Sequence, residues 1–151
     1  IPRFGYEVTS ISDKTVLEML DYRAVLECGY LDRNWNAITD KRIAQLQKLV
    51  YKDYSKPEKR EAFEHWEKNC IFHLTLFSFS DNIFSYEQLA AVMRALGIAY
   101  VRSYWKALHL TQVQSGANYH KQLINYLMDG NRKAAVECLR KDIIEFFTPG
   151  N

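Results

Sequence analysis

Apolar residues recur at helical spacing along most of this chain, and polar turns cut the pattern into segments of helix length. Ser12-Asp13 offers a cap, and a helix over 13–34 would carry Val16, Met19, Leu20, Arg23, Leu26 and Tyr30 on one face. Thr39 or Asp40 starts a second over 40–52, with Ile43, Leu46, Leu49 and Val50 inward. Ser55 with Pro57 opens a third, running to about 78. Ser80-Asp81-Asn82 breaks the chain before a fourth over 84–108, where Ala91, Ala95, Ile98, Arg102 and Trp105 align. A fifth spans 111–128, with Gly116 a possible break. Asp129-Gly130-Asn131 turns into a sixth over 132–147. Only residues 1–9, where Phe4, Tyr6 and Val8 alternate, read as a strand, and it has no partner nearby. The expected fold is an all-α antiparallel bundle of six or seven helices.

Several positions in these apolar faces are polar. Asn69 and His73 lie four apart in a stripe with Trp66, Leu76 and Phe77, and His120 shares a face with Leu123, Ile124 and Leu127. Asp142 lines up with Ala135, Cys138, Leu139 and Phe146. A buried imidazole or carboxylate without a partner costs kilocalories, so the set points to a polar cavity inside the bundle.

Composition narrows what such a cavity serves. With 151 residues, 48% hydrophobic and 25% charged, the chain suits one globular domain. A formal charge of +2 gives no bulk attraction to nucleic acid or membrane. Cys28, Cys70 and Cys138 are odd in number and fall in helical stripes, so they read as buried free thiols in a reducing, cytoplasmic setting. No apolar run approaches a membrane span. The chain opens on Ile1, which we read as a piece of a longer protein.

Asn69, His73, His120 and Asp142 together offer nitrogen and oxygen donors suited to zinc, nickel or manganese. The plainer alternative is core histidines satisfied by hydrogen bonds to Asn69 and Asp142. Arg23 and Arg102 each interrupt an apolar stripe, and a guanidinium there needs an anion. Opening into one cavity, they would hold a carboxylate or phosphate by paired hydrogen bonds. Equally, Arg23 could pair internally with Glu27. His65 and His109 suit structural roles, and Tyr22, Tyr100, Tyr104 and Tyr119 read as core or pocket wall. GxSxG, HExxH, P-loop and GxGxxG patterns are missing, and no Glu has a His three residues on, so nothing argues for an enzyme.

The chain resembles the C-terminal effector-binding (FCD) domain of GntR-family transcriptional regulators, FadR subfamily. The likeness rests on EMLDYRAVLE (18–27), NCIFHLTLFSFSDN (69–82) and NYHKQLINYLMDGNRKAAVECLRKDI (118–143), in the family's order and spacing. FGYEVTSIS looks like the strand leading out of the family's winged helix-turn-helix. The resemblance implies that 1–10 is the remnant of that wing and linker, and 11–148 a ligand-binding and dimerising domain. It implies a homodimer, a small organic-acid effector contacted by Arg23, Arg102, His73 and His120, and operator DNA read by an N-terminal domain absent from this chain. Metal-binding members use an aspartate and three histidines. Those positions fall here on Asn69, His73, His120 and Asp142, so two of the four types differ, and zinc is less favoured. A metal-dependent hydrolase built on His73 and His120, or a ligand-free dimerisation module, are the competing readings.

Overall fold

A computed structural model describes residues 11–50, 61–108, 117–145 and 147; the side chains of 61, 62, 102–108, 117 and 118 lie outside the description. Its helices are α1 (Asp13–Arg33), α2 (Asp40–Val50), α3 (Glu61–Ser78), α4 (Ile83–Leu108), α5 (Ala117–Met128) and α6 (Arg132–Ile144), with a 3-10 turn at Trp35–Ala37 that the sequence pattern does not anticipate. Among the described residues there is no strand, so the all-α expectation holds. The strand at 1–9, the start of the third helix at Ser55 and residues 111–116 of the fifth lie outside the described residues. The sixth helix ends at Ile144, short of the expected 147.

Caps fix where the helices begin. Ser12 Oγ accepts from Thr15 N–H, Asn82 Oδ1 from Ser85 N–H, and Asn131 Oδ1 from Ala134 N–H, each satisfying an amide that lacks a carbonyl partner. The α5–α6 turn needs Gly130, whose φ of 68° is costly for other residues. Asp81 adopts φ 55° in the α3–α4 turn, a conformation that aspartate tolerates. Arg42 ties that turn to the 3-10 turn by donating from Nη1 to the carbonyls of Ala37 and Phe79.

Helix α1 is central, packing on α6, α4 and α3, while α2 lies against α5 and α3. The buried stripe of α4 corrects the expectation. Ala91 is exposed and Ile98 is 52% exposed, whereas Leu89, Met93, Leu96 and Ala99 are buried. This helix is apolar nearly all round, so periodicity alone does not choose a face. Packing does, because fully burying each Leu or Met gains roughly 1.5–3 kcal/mol, far more than an alanine offers. Where α3 meets α4, Trp66 donates its indole N–H to Met93 O at 3.1 Å. A Cβ at position 97 would stand 2.9 Å from that nitrogen, so Gly97 is what lets the ring lie so close.

Candidate metal and effector site

Four helices each send polar side chains to one point in the core: α1 gives Arg23 and Glu27, α3 gives His73, α5 gives His120, and α6 gives Asp142. All five are buried, with exposures of 8% or less. Asp142 Oδ2 lies 3.1 Å from Nε2 of His73 and 3.1 Å from Nε2 of His120, and the two nitrogens are 3.4 Å apart. That oxygen has no directional hydrogen bond, although it is buried. Phe72 stacks on the His120 ring at 3.9 Å between centroids and holds its plane.

On the far side of His73, Nδ1 lies 2.6 Å from Glu27 Oε2, while Glu27 Oε1 accepts from Arg23 Nε at 2.7 Å. The internal pairing of Arg23 is thus realised. Its Nη2 nevertheless has no hydrogen-bond partner although the side chain is 1% exposed. A narrow cleft lined by Tyr30, Asn34, Phe77 and Ser80 extends to Glu27 and His73.

Burial opposes every charge in this cluster, and the neighbours decide the outcome. Burial pushes the Glu27 carboxyl up, but Arg23 and then His73 outweigh it and its pKa falls below the ordinary value. Asp142 follows the same logic: burial raises it, and the close approach of His120 and then His73, each 3.1 Å away, pulls it well below the usual carboxylate range. The two histidines part company. Burial lowers His73, yet the Glu27 charge and contact with Asp142 leave it raised. Burial dominates at His120, whose pKa is lowered despite Asp142. One imidazole is biased toward the charged form and the other toward the neutral form.

Among the expected donors, His73, His120 and Asp142 are brought together, and atoms from all three lie within 4.8 Å of one another. These residues form a possible metal-binding site. A metal–nitrogen distance of about 2.0–2.1 Å places neighbouring ligands roughly 2.9–3.4 Å apart, which matches the observed triangle. Asn69 sits one turn before His73 on α3, only partly buried. Arg102 and Tyr104 lie within α4 with their side chains outside the description, and His109 lies outside the described residues. Tyr22 is exposed, His65 and Tyr100 are partly buried, and Tyr119 donates its hydroxyl to Glu145. Cys28 and Cys138 are buried, their thiols pushed up by burial to about 12 and about 11; Cys70 is only half-buried.

Glu27 is the residue that sequence reasoning left outside the ligand set. The signal was present: Val16, Leu20, Arg23, Glu27 and Leu31 recur every three or four residues, and all are buried.

No helix among the described residues is long and apolar enough to cross a membrane. The fold is similar to that of E. coli McbR/YncC, with a TM-score of 0.70 at 17% identity over 90% of this chain. The chain spans 64% of that protein's length. No curated protein sequence matches it. Residues 18–144 match the model of the FCD domain, nearly the whole described bundle. The chain belongs to the FCD-domain family.

Proposed function

We propose that this chain is the effector-sensing and dimerising domain of a GntR-type transcriptional regulator, of the FadR subfamily. In this reading His73, His120 and Asp142 hold a divalent ion, and a small organic acid completes the site. The observation that carries it is the orphaned Asp142 Oδ2, buried 3.1 Å from two imidazole nitrogens. An unsatisfied buried carboxylate oxygen facing two ring nitrogens is a poor core and a good ligand set. When bound, the ion supplies a fixed positive centre that attracts a carboxylate. Asn69, through its carbonyl oxygen, is the proposed fourth donor. Two imidazoles and a carboxylate suit zinc, nickel or manganese.

Charge argues for an acid as the effector. Arg23 cancels Glu27, and a divalent ion against Asp142 with both histidines neutral leaves one positive charge in the core. A carboxylate neutralises it, and a buried net charge is otherwise expensive. Arg23, whose Nη2 has no other hydrogen-bond partner, and Arg102 are the proposed donors to that carboxylate.

Binding becomes a signal when the acid favours one arrangement of the helices over another, typically by about 1–3 kcal/mol or roughly 5–150-fold. A homodimer would carry that change to two winged helices on operator DNA, through the part of the regulator beyond this chain. Phe84, Ala91 and Ile98 support dimerisation, because they are exposed on α4 at seven-residue spacing. The hydrolase alternative needs a free general base beside the ion. Both Glu27 oxygens are taken by Arg23 and His73, and Asp142 serves as ligand, which favours sensing over turnover.

Melting curves with a panel of small carboxylates, with and without manganese or zinc, test the proposal. Wild type should be stabilised most by an acid and an ion together, and His120→Ala should lose both effects. An acid that stabilises His120→Ala as well as wild type would place the effector elsewhere.

A further inference from the structure

In the reading above Glu27 ligates neither ion nor acid, yet it is 3% exposed and both of its oxygens are engaged. We propose that Glu27 is the positioning residue of the metal centre. It accepts a hydrogen bond from His73 Nδ1–H and so presents Nε2 to the point where His120 and Asp142 converge, while Arg23 holds Glu27 in place. This rests on the reading that His73, His120 and Asp142 bind an ion.

The geometry leaves little freedom. A carboxylate oxygen accepts and cannot donate, so at 2.6 Å the facing Nδ1 must carry the hydrogen. An imidazole that keeps its proton there offers its lone pair at Nε2. Turning the ring over would exchange both nitrogens for carbons, breaking the contacts to Glu27 and Asp142 at once. Glu27 is itself restrained, because Arg23 is its neighbour one turn earlier on α1 and the pair is 1% and 2% exposed. Swinging Glu27 away would strand a buried guanidinium. Its Oε1 is committed to Arg23 and its Oε2 to His73, so neither is free to ligate. A partner of this kind on the far nitrogen orients a ligating histidine and raises its basicity, and its loss typically costs 10–100-fold in metal affinity.

Zinc titration of the full chain tests this, with Glu27→Gln and Glu27→Asp beside wild type. Glu27→Gln, similar in size but also a donor, should bind zinc about 10–100-fold more weakly, and Glu27→Asp should recover part of the loss. Nitrogen-15 NMR of zinc-loaded wild type needs no variant to fold. It should show His73 with its proton retained on Nδ1, in a strong hydrogen bond, and zinc on Nε2. Zinc on Nδ1 overturns the proposal, as does equal affinity in Glu27→Gln. Those outcomes leave the metal reading standing, whereas a wild type that binds no zinc overturns both.

Discussion

Two arginine–carboxylate pairs in this domain have the same length and opposite surroundings. Arg23 Nε meets Glu27 Oε1 at 2.7 Å with side chains 1% and 2% exposed; Arg132 Nε meets Asp32 Oδ1 at 2.7 Å with side chains 50% and 55% exposed. The outer pair links the start of α6 to the end of α1 in water, where screening and side-chain entropy offset most of the attraction. The inner pair has no water to fall back on. Each partner there is held by the cost of stranding the other, and the same carboxylate also holds His73. Distance is therefore a poor guide to what a charge pair does; burial and the third partner decide it.

The largest effect should follow breaking the inner pair on one side. Arg23→Met leaves Glu27 charged and buried, and urea unfolding should show a loss of about 3–5 kcal/mol. Arg23→Ala should carry a stability cost for the same reason, beside any loss of effector binding. Removing both charges, as Arg23→Met with Glu27→Gln, should cost less than Arg23→Met alone, because no bare charge remains. A double-mutant cycle reads that coupling directly. A double variant as unstable as the sum of the singles would mean that the two residues act independently.

Next in size is the pH response of the metal-free domain. His73 is raised above its unfolded value near 6.5, so its contribution is fully present below that pH and fades as pH rises through the folded pKa. His120 is lowered, so the neutral ring costs stability once pH drops below about 6.5 and the unfolded chain takes up a proton. Melting temperature should thus peak near pH 6.5, and His73→Gln should flatten the alkaline limb most, while softening the acid limb too because the His73 charge helps to lower His120. An alkaline limb unchanged in His73→Gln would assign it to another group.

The smallest effect should come from the outer pair. Asp32→Asn should leave the urea midpoint nearly unchanged, and any shift seen at low salt should vanish at high salt. A large, salt-resistant loss there would erase the contrast between the two pairs.

Most of the helices were legible because their apolar faces repeat cleanly, as in α2 with Ile43, Leu46 and Val50. His73, His120 and Asp142 were legible for the complementary reason: each interrupts such a face. Glu27 was harder to place, since it follows Leu26 and sits among other acidic residues of α1, where a solvated carboxylate is the ordinary expectation. In α4 the apolar residues encircle the helix, so only tertiary packing could choose Leu89 and Met93 over Ala91 and Ile98. The 3-10 turn at Trp35–Ala37 is too short to have a period of its own.

Native mass spectrometry of the chain, before and after chelation and with manganese or zinc restored, tests the central claim most directly. We expect one ion per chain in wild type and none in Asp142→Ala, with both retaining helical circular dichroism. A wild-type mass that never departs from the bare chain, together with a melting curve unmoved by either metal, would contradict the account. His73, His120 and Asp142 would then be a self-neutralised core cluster.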